Sequence, residues 1–206
     1  MAEGHEGVTL SAIRDWHLGP DAVVLDVGCG NGWAVRHMVE QGAGRGLGVD
    51  IAPQMVRLAQ EKTRGDDRFD FQAGLADALP WPASSVSHLL SVESIYYYPD
   101  VRGALSEWAR VTRAGGRLAV VIDLYEESPA THNWIDALDV EVHLLSAPGL
   151  SAMAEDAGWS QVHTEQVLDP RPLAPQADFE ISKYWPSYEQ YLRYRQAGAL
   201  VLHGVR

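Results

Sequence analysis

Cysteine is nearly absent from this 206-residue chain, with Cys29 standing alone. One cysteine closes no internal disulfide and builds no cysteine zinc site. Long apolar runs are missing as well, and none approaches the roughly 18 to 20 residues needed to cross a bilayer. The opening residues, Met-Ala-Glu-Gly-His-Glu, lack the basic start and apolar stretch of a signal peptide. No membrane partner and a cytoplasmic location are therefore expected. Basic residues are scarce: 16 Lys and Arg against 28 Asp and Glu leave a formal net charge of −12. Nucleic-acid affinity comes mostly from cations on phosphates. The densest basic cluster here is Arg193 with Arg195, so nucleic acid is not an expected partner. The eight histidines are scattered, with no His-Glu-x-x-His helix and no close His/Asp cluster in the sequence, and no metal is expected.

What remains is the composition of a folded chain, 46% hydrophobic and 21% charged, long enough for a single domain over residues 1–206 with a substantial core. The order of elements follows from periodicity and punctuation. Val23–Val27 is a β-branched run entering a glycine cluster, which predicts a buried strand. Trp33 to Gln41 places Val35, Met38 and Val39 at helical spacing, and Gly42 ends that helix. A strand over 45–51 and a helix starting at Pro53, with Met55, Val56 and Leu58 or Ala59 inward, come next. Strands follow over 69–73 and 86–92. Asp100 caps a helix with Val101, Leu105, Trp108 and Val111 on one face, stopped by Gly115-Gly116. A fifth strand runs over 117–123, then a helix over 148–157, a strand over 159–168, a helix over 186–196 and a strand over 199–205. A helix is expected in residues 1–20, and the proline-rich stretch 169–178 reads as a surface connection.

Alternating strands and helices imply βαβ units with right-handed crossovers. The expected fold class is α/β: a doubly wound, Rossmann-like, mostly parallel seven-stranded sheet with helices on both faces and the last strand antiparallel. Ligands of such sheets bind at the carboxyl ends of the strands. The loop there, Asp26-Val27-Gly28-Cys29-Gly30-Asn31-Gly32, lets the backbone turn sharply and approach a ligand. It breaks the dinucleotide pattern, because Trp33 stands where Gly-x-Gly-x-x-Gly needs glycine. Asp26, two residues before Gly28, would repel a pyrophosphate but suits an ammonium group. S-adenosylmethionine carries such a group and no phosphate. Asp50, after the second strand, can accept from two ribose hydroxyls, Ile51 can wall an adenine, and Asp77 can accept from an adenine amino group.

The motifs VLDVGCGNG, GVD, AxxADALPW, SVESIYYYPD and RVTRAGGRLAVV, in that order over about residues 20–123, resemble those of class I S-adenosylmethionine-dependent methyltransferases. The likeness is to the small-molecule branch with a methyltransferase-11-like domain. The resemblance implies that Asp26, Gly28, Cys29 and Gly30 face the methionine part of the cofactor. Asp50 and Ile51 would hold ribose and adenine, Ala76 and Asp77 the adenine edge, and Ser91 would close the methionine end. The implied product is S-adenosylhomocysteine.

Methyl transfer from a sulfonium is an in-line displacement in which positioning can supply much of the acceleration. A base is needed only where the acceptor must lose a proton. After the fourth strand the chain reads Ser91-Val92-Glu93-Ser94 rather than Asn/Asp-Pro-Pro-aromatic, which points to a small-molecule O, N or C nucleophile. Glu93 is the candidate base or ammonium anchor; the plainer reading is a rim carboxylate paired with an arginine. Tyr96 and Tyr97 are candidate substrate contacts. So are Tyr125 and His132 in the segment 124–147, a substrate-side cover. The alternatives are a protein or RNA methyltransferase, or a regulator that binds the cofactor without turnover.

Overall fold

The computed structural model describes residues 2–138 and 140–206. In chain order the elements are α1 (Ala2–Ala12), β1 (Val23–Val27), α2 (Trp33–Glu40), β2 (Arg45–Asp50), α3 (Pro53–Lys62), β3 (Phe69–Ala73), β4 (Val86–Val92), α4 (Val101–Val111) and β5 (Thr112–Ile122). The chain continues through α5 (Trp134–Leu138), α6 (Ala147–Asp156), β6 (Ser160–Val167), α7 (Tyr188–Ala197) and β7 (Ala199–Val205).

The seven strands form one sheet in the order β3-β2-β1-β4-β5-β7-β6. The first five are parallel, and β7 runs antiparallel to both β5 and β6. This is the expected doubly wound α/β architecture with an antiparallel last strand. β1 pairs with β2 on one side and β4 on the other, at Leu25↔Leu47 and Leu25↔Leu89. The winding reverses there, so a crevice opens beyond the carboxyl ends of β1 and β4.

Both faces of the sheet are apolar because both are covered. Side chains alternate along each strand: Leu25, Leu89, Leu118 and Val120 pack with Trp108, Leu105 and Leu150 of α4 and α6. Val24, Leu90, Ala119 and Val121 pack with Val8, Met38 and Val39 of α1 and α2. A third group joins Val56 and Ala59 of α3 to Phe71 and Cys29. Each fully buried side chain of this kind contributes roughly 1.5–3 kcal/mol of transfer free energy. Gly46 lets α2 sit directly on β2, since a Cβ there would lie 2.5 Å from Val35 Cγ1.

Several boundaries differ from the sequence reading for identifiable reasons. β5 starts at Thr112 rather than 117, because α4 already ends at Val111 and Gly115 and Gly116 pair with Arg206 instead of stopping the helix: Gly115 N–H donates to Arg206 O at 2.6 Å and Arg206 N–H to Gly116 O at 2.9 Å. α7 starts at Tyr188, where the Ser187 side chain accepts from Gln190 N–H. Leu58 is exposed, and Ala59 takes the buried position of α3. The N-terminal helix covers Ala2–Ala12 of the expected 1–20. Met1 of that span, and Asp139 of the expected cover 124–147, lie outside the described residues.

Candidate functional site

A cavity of about 550 Å³ opens at the reversal point, within the usual range for small-molecule sites. The glycine loop forms its floor. Gly28, Gly30 and Gly32 all take positive φ, at 81°, 51° and 73°. A Cβ on Gly28 would sit 2.4 Å from Ser94 Oγ, whereas at Gly30 the nearest atom outside the neighbouring residues is Met55 Cε at 3.7 Å. The loop is thus closed against the protein at Gly28 and open toward the cavity at Gly30.

Asp50 clamps this loop. Its Oδ2 accepts from Gly30 N–H at 2.7 Å and its Oδ1 from Ala52 N–H at 2.9 Å. Lone pairs beyond these remain on both oxygens, so the carboxylate is oriented before a diol arrives. Asp26 is different in kind. It is 2% exposed, and its Oδ1 is buried with no hydrogen-bond partner among the described residues. Burial, with the Asp50 charge second, pushes its carboxyl up to about 8. A buried acceptor left open beside a cavity fits a cationic donor from outside the chain.

The far wall comes from the segment after β3. Trp108 Nε1–H donates to Ala76 O at 3.0 Å, and Leu79 N–H donates to Glu107 Oε1 at 2.8 Å. These contacts from α4 hold the stretch that carries Ala76 and Asp77 along the cavity rim. Ile51 also lines the cavity and is 74% exposed, an unusual place for a large apolar side chain with no ligand to cover. Of the residues singled out in the sequence, Asp26, Gly28, Cys29, Gly30, Asp50, Ile51, Ala76, Asp77, Glu93 and Tyr97 all line this cavity.

The others lie behind its wall. Ser91 is fully buried, its Oγ 2.8 Å from Ser94 Oγ, and Ser94 in turn contacts Val27 O at 3.0 Å. Ser94 itself lines the cavity. Its role in tying β4 to β1 left no sequence signal beyond a small polar residue after a strand. Tyr96 is 3% exposed and donates to Glu93 Oε2 at 2.9 Å. Tyr125 is fully buried and donates to Gly198 O at 3.2 Å. His132 Nε2 lies 3.1 Å from Tyr125 O. The segment 124–147 meets the site indirectly, for example through His143 N–H donating to Tyr96 O at 2.8 Å.

Glu93 is not on a rim, its side chain being 10% exposed, and no arginine pairs with it among the described residues. Its backbone is left-handed, φ 51°, a conformation that costs a non-glycine residue of order 1–3 kcal/mol and gathers at functional sites. Its Oε1 accepts from Asp123 N–H at 2.6 Å. Burial and the Asp123 charge raise its carboxyl to about 7. His5 of α1 completes this corner: its Nδ1 is 3.1 Å from Asp123 Oδ2 and 4.0 Å from Glu93 Oε1. No periodicity or motif marks His5, and its 118-residue separation from Asp123 kept the pair invisible in the sequence. His88, by contrast, is packed on Trp16 with ring centroids 5.0 Å apart. Burial, with Arg117 and Arg113 nearby, lowers its pKa to about 4.

The family description Methyltransferase domain matches residues 25–120. A chain from the solved complex of the Haloferax volcanii Trm112 methyltransferase activator with a protein described as a methyltransferase superposes with a TM-score of 0.89 at 30% identity, covering 100% of this chain and 91% of that one. The chain belongs to the class I S-adenosylmethionine-dependent methyltransferase family. Among curated relatives, the 27-O-demethylrifamycin SV methyltransferase of Amycolatopsis mediterranei (strain S699) is 36% identical over 110 residues, 52% of this chain and 40% of that protein. The 2-methyl-6-phytyl-1,4-hydroquinone methyltransferase of Synechocystis sp. (strain ATCC 27184 / PCC 6803 / Kazusa) is 37% identical over 103 residues, 50% of this chain and 32% of that protein. This member of the family thus spans less than half the length of either. No helix among its described residues is long and apolar enough to cross a membrane.

Proposed function

We propose that the protein binds S-adenosylmethionine in the glycine-loop cavity and transfers its methyl group to a small molecule. The observation that carries this reading is Asp26 Oδ1, buried without a partner among the described residues, in the glycine loop that lines the cavity. Bound there, the cofactor supplies an electrophilic methyl on a good leaving group. Asp26 would face its ammonium and Asp50 its ribose hydroxyls, with Ile51, Ala76 and Asp77 at the adenine. Glu93, His5 and Tyr97 line the cavity on the side left for the acceptor. The protein's work is to align and to keep water out. The activities for which the rifamycin and hydroquinone relatives are named support a small-molecule acceptor, as does the charge of −12.

A second reading adds a protein partner. It is favoured by the Haloferax relative, which was solved with a methyltransferase activator. The test uses methyl-labelled S-adenosylmethionine, purified protein and a cell extract separated by dialysis. Label in the dialysable fraction supports the small-molecule reading. Label in the retained fraction favours a macromolecular acceptor. Cofactor binding without transfer until another extract protein is added favours an activator.

A further inference from the structure

At the carboxyl ends of β4 and β5, Glu93 and Asp123 meet His5 of α1, and His5 and Glu93 line the cavity. Asp123 is 2% exposed and accepts from Tyr194 O–H at 2.8 Å through Oδ2, the oxygen that also meets His5 Nδ1 at 3.1 Å. With Nδ1 engaged, Nε2 is the ring nitrogen left without a partner among the described residues, and His5 lines the cavity. Glu93 lines it too, but both its oxygens already accept from fixed donors, Asp123 N–H and Tyr96 O–H. A carboxylate fixing one imidazole nitrogen while the other faces a reactant is the arrangement of a general base and its orienting partner.

We propose that His5, oriented by Asp123 and Glu93, accepts the proton of the methyl acceptor, which is therefore a hydroxyl or phenol that still carries its hydrogen. This rests on the methyl-transfer reading above. In the step, the acceptor O–H bond breaks and its proton passes to His5 Nε2. An oxygen lone pair forms the O–CH₃ bond as the S–CH₃ bonding pair returns to sulfur, leaving neutral S-adenosylhomocysteine. Asp123 and Glu93 hold the imidazolium charge until solvent removes the proton. Neither carboxylate touches the acceptor in this scheme, so both are positioning residues.

The electrostatics of the corner agree with that role. Burial lowers the His5 pKa, but the Glu93 and Asp123 carboxylates outweigh it and raise the ring to about 9. Arg171 reaches the neighbouring Gly4 carbonyl, and Tyr96 and Tyr194 face the two carboxylates as neutral donors. A base near 9 is matched to a phenol, whose proton leaves near 10. The ligand-capable atoms of His5, Glu93 and Asp123 lie within 4.8 Å of one another, so a divalent cation is the competing occupant.

Two readouts test the proposal. In protein saturated with S-adenosylhomocysteine, the ¹⁵N imidazole signals of His5, assigned with His5→Gln, are expected to titrate near 9, and Asp123→Asn is expected to lower the midpoint by at least about one unit. In the dialysable-extract assay, His5→Gln is expected to cut transfer by about 100-fold or more while cofactor affinity stays within about twofold. The wild-type rate should climb with pH to a break near 9 that His5→Gln abolishes. A midpoint near the ordinary histidine value, untouched by Asp123→Asn, would overturn the proposal. So would wild-type transfer by His5→Gln, or calorimetric binding of Zn²⁺ or Mg²⁺ that His5→Gln abolishes. A wild-type protein that binds cofactor but labels nothing counts against the methyl-transfer reading, and the titration then decides the dyad by itself.

Discussion

Replacing Asp26 by Asn should make the protein more stable and a worse cofactor binder at the same time. In the folded chain the Asp26 carboxyl is raised to about 8 by burial and the nearby Asp50 charge, against 3.8 for the exposed group. An acid with a raised folded pKa stabilises the fold fully below its unfolded pKa. That contribution is lost as pH climbs from 3.8 toward 8. By linkage, at about 1.4 kcal/mol per pH unit, the cost at pH 7 has a ceiling of about 4 kcal/mol. An amide in the same place keeps the penalty of a buried polar group without partners, so a gain of about 1–2 kcal/mol is the expectation. For a chain of this length that is a rise of about 2–8 °C in Tm at pH 7. The gap between Asp26→Asn and wild type should vanish near pH 4 and widen to pH 8. Thermal denaturation across that range measures it. A variant equal to or less stable than wild type at pH 8, or a gap independent of pH, would refute the argument. The binding half has its own signature. A cation docking on Asp26 favours the ionised form, so cofactor binding at pH 7 should release a proton, seen as calorimetric heats that depend on buffer ionisation enthalpy. Asp26→Asn should abolish that release and weaken binding at least about tenfold.

Asp50→Ala removes both the loop clamp and the expected diol acceptor, and titration calorimetry should show S-adenosylmethionine binding weakened by about 10- to 100-fold; unchanged affinity would overturn the ribose assignment. Gly28→Ala places a Cβ 2.4 Å from Ser94 Oγ on a backbone with φ 81°, which should cost about 2–4 kcal/mol and lower Tm by about 5–15 °C. Trp108→Phe keeps an aromatic ring in the core but leaves a small cavity and strips the donor from Ala76 O, so stability should fall by about 1–3 kcal/mol and cofactor affinity should drop several-fold, while an unaltered affinity would show that α4 does not position the adenine wall.

The architecture was legible because its signals are local. Asp100 caps α4 through Gly103 N–H at 2.8 Å, and the stripe Val101, Leu105, Trp108, Val111 is buried, both readable from spacing. Asp26 near the end of β1, Asp50 at the end of β2 and Asp77 after β3 line one cavity because a parallel sheet puts all such strand ends on one edge. Side-chain direction was less accessible. Glu93 turns inward because its backbone is left-handed, which no pattern announces for a glutamate. Tyr96 and Tyr97 are neighbours, yet one is 3% exposed and the other 37%, a difference set by the short 3-10 turn Ile95–Tyr97. His5 and Tyr194 reach Asp123 from elements far apart in sequence, and only the packing of α1 and α7 reveals them.

The placement of β7 also governs how the chain can assemble. Because β7 separates β5 from β6, strand β6 has no sheet neighbour until residues 199–205 have arrived. A growing chain that has emerged through β6 and α7 must therefore hold that strand unpaired, its backbone groups open to competitors. The strands of the parallel half have all emerged by residue 122, so it can form early, while the antiparallel corner closes last, β5 pairing with β7 across 78 to 88 residues. Tyr194 sits one turn before β7 and Asp123 one residue after β5. The corner that orients His5 is consequently finished only when the sheet is, and a kinetically trapped chain lacking β7 would retain a glycine loop while missing its proton acceptor's support.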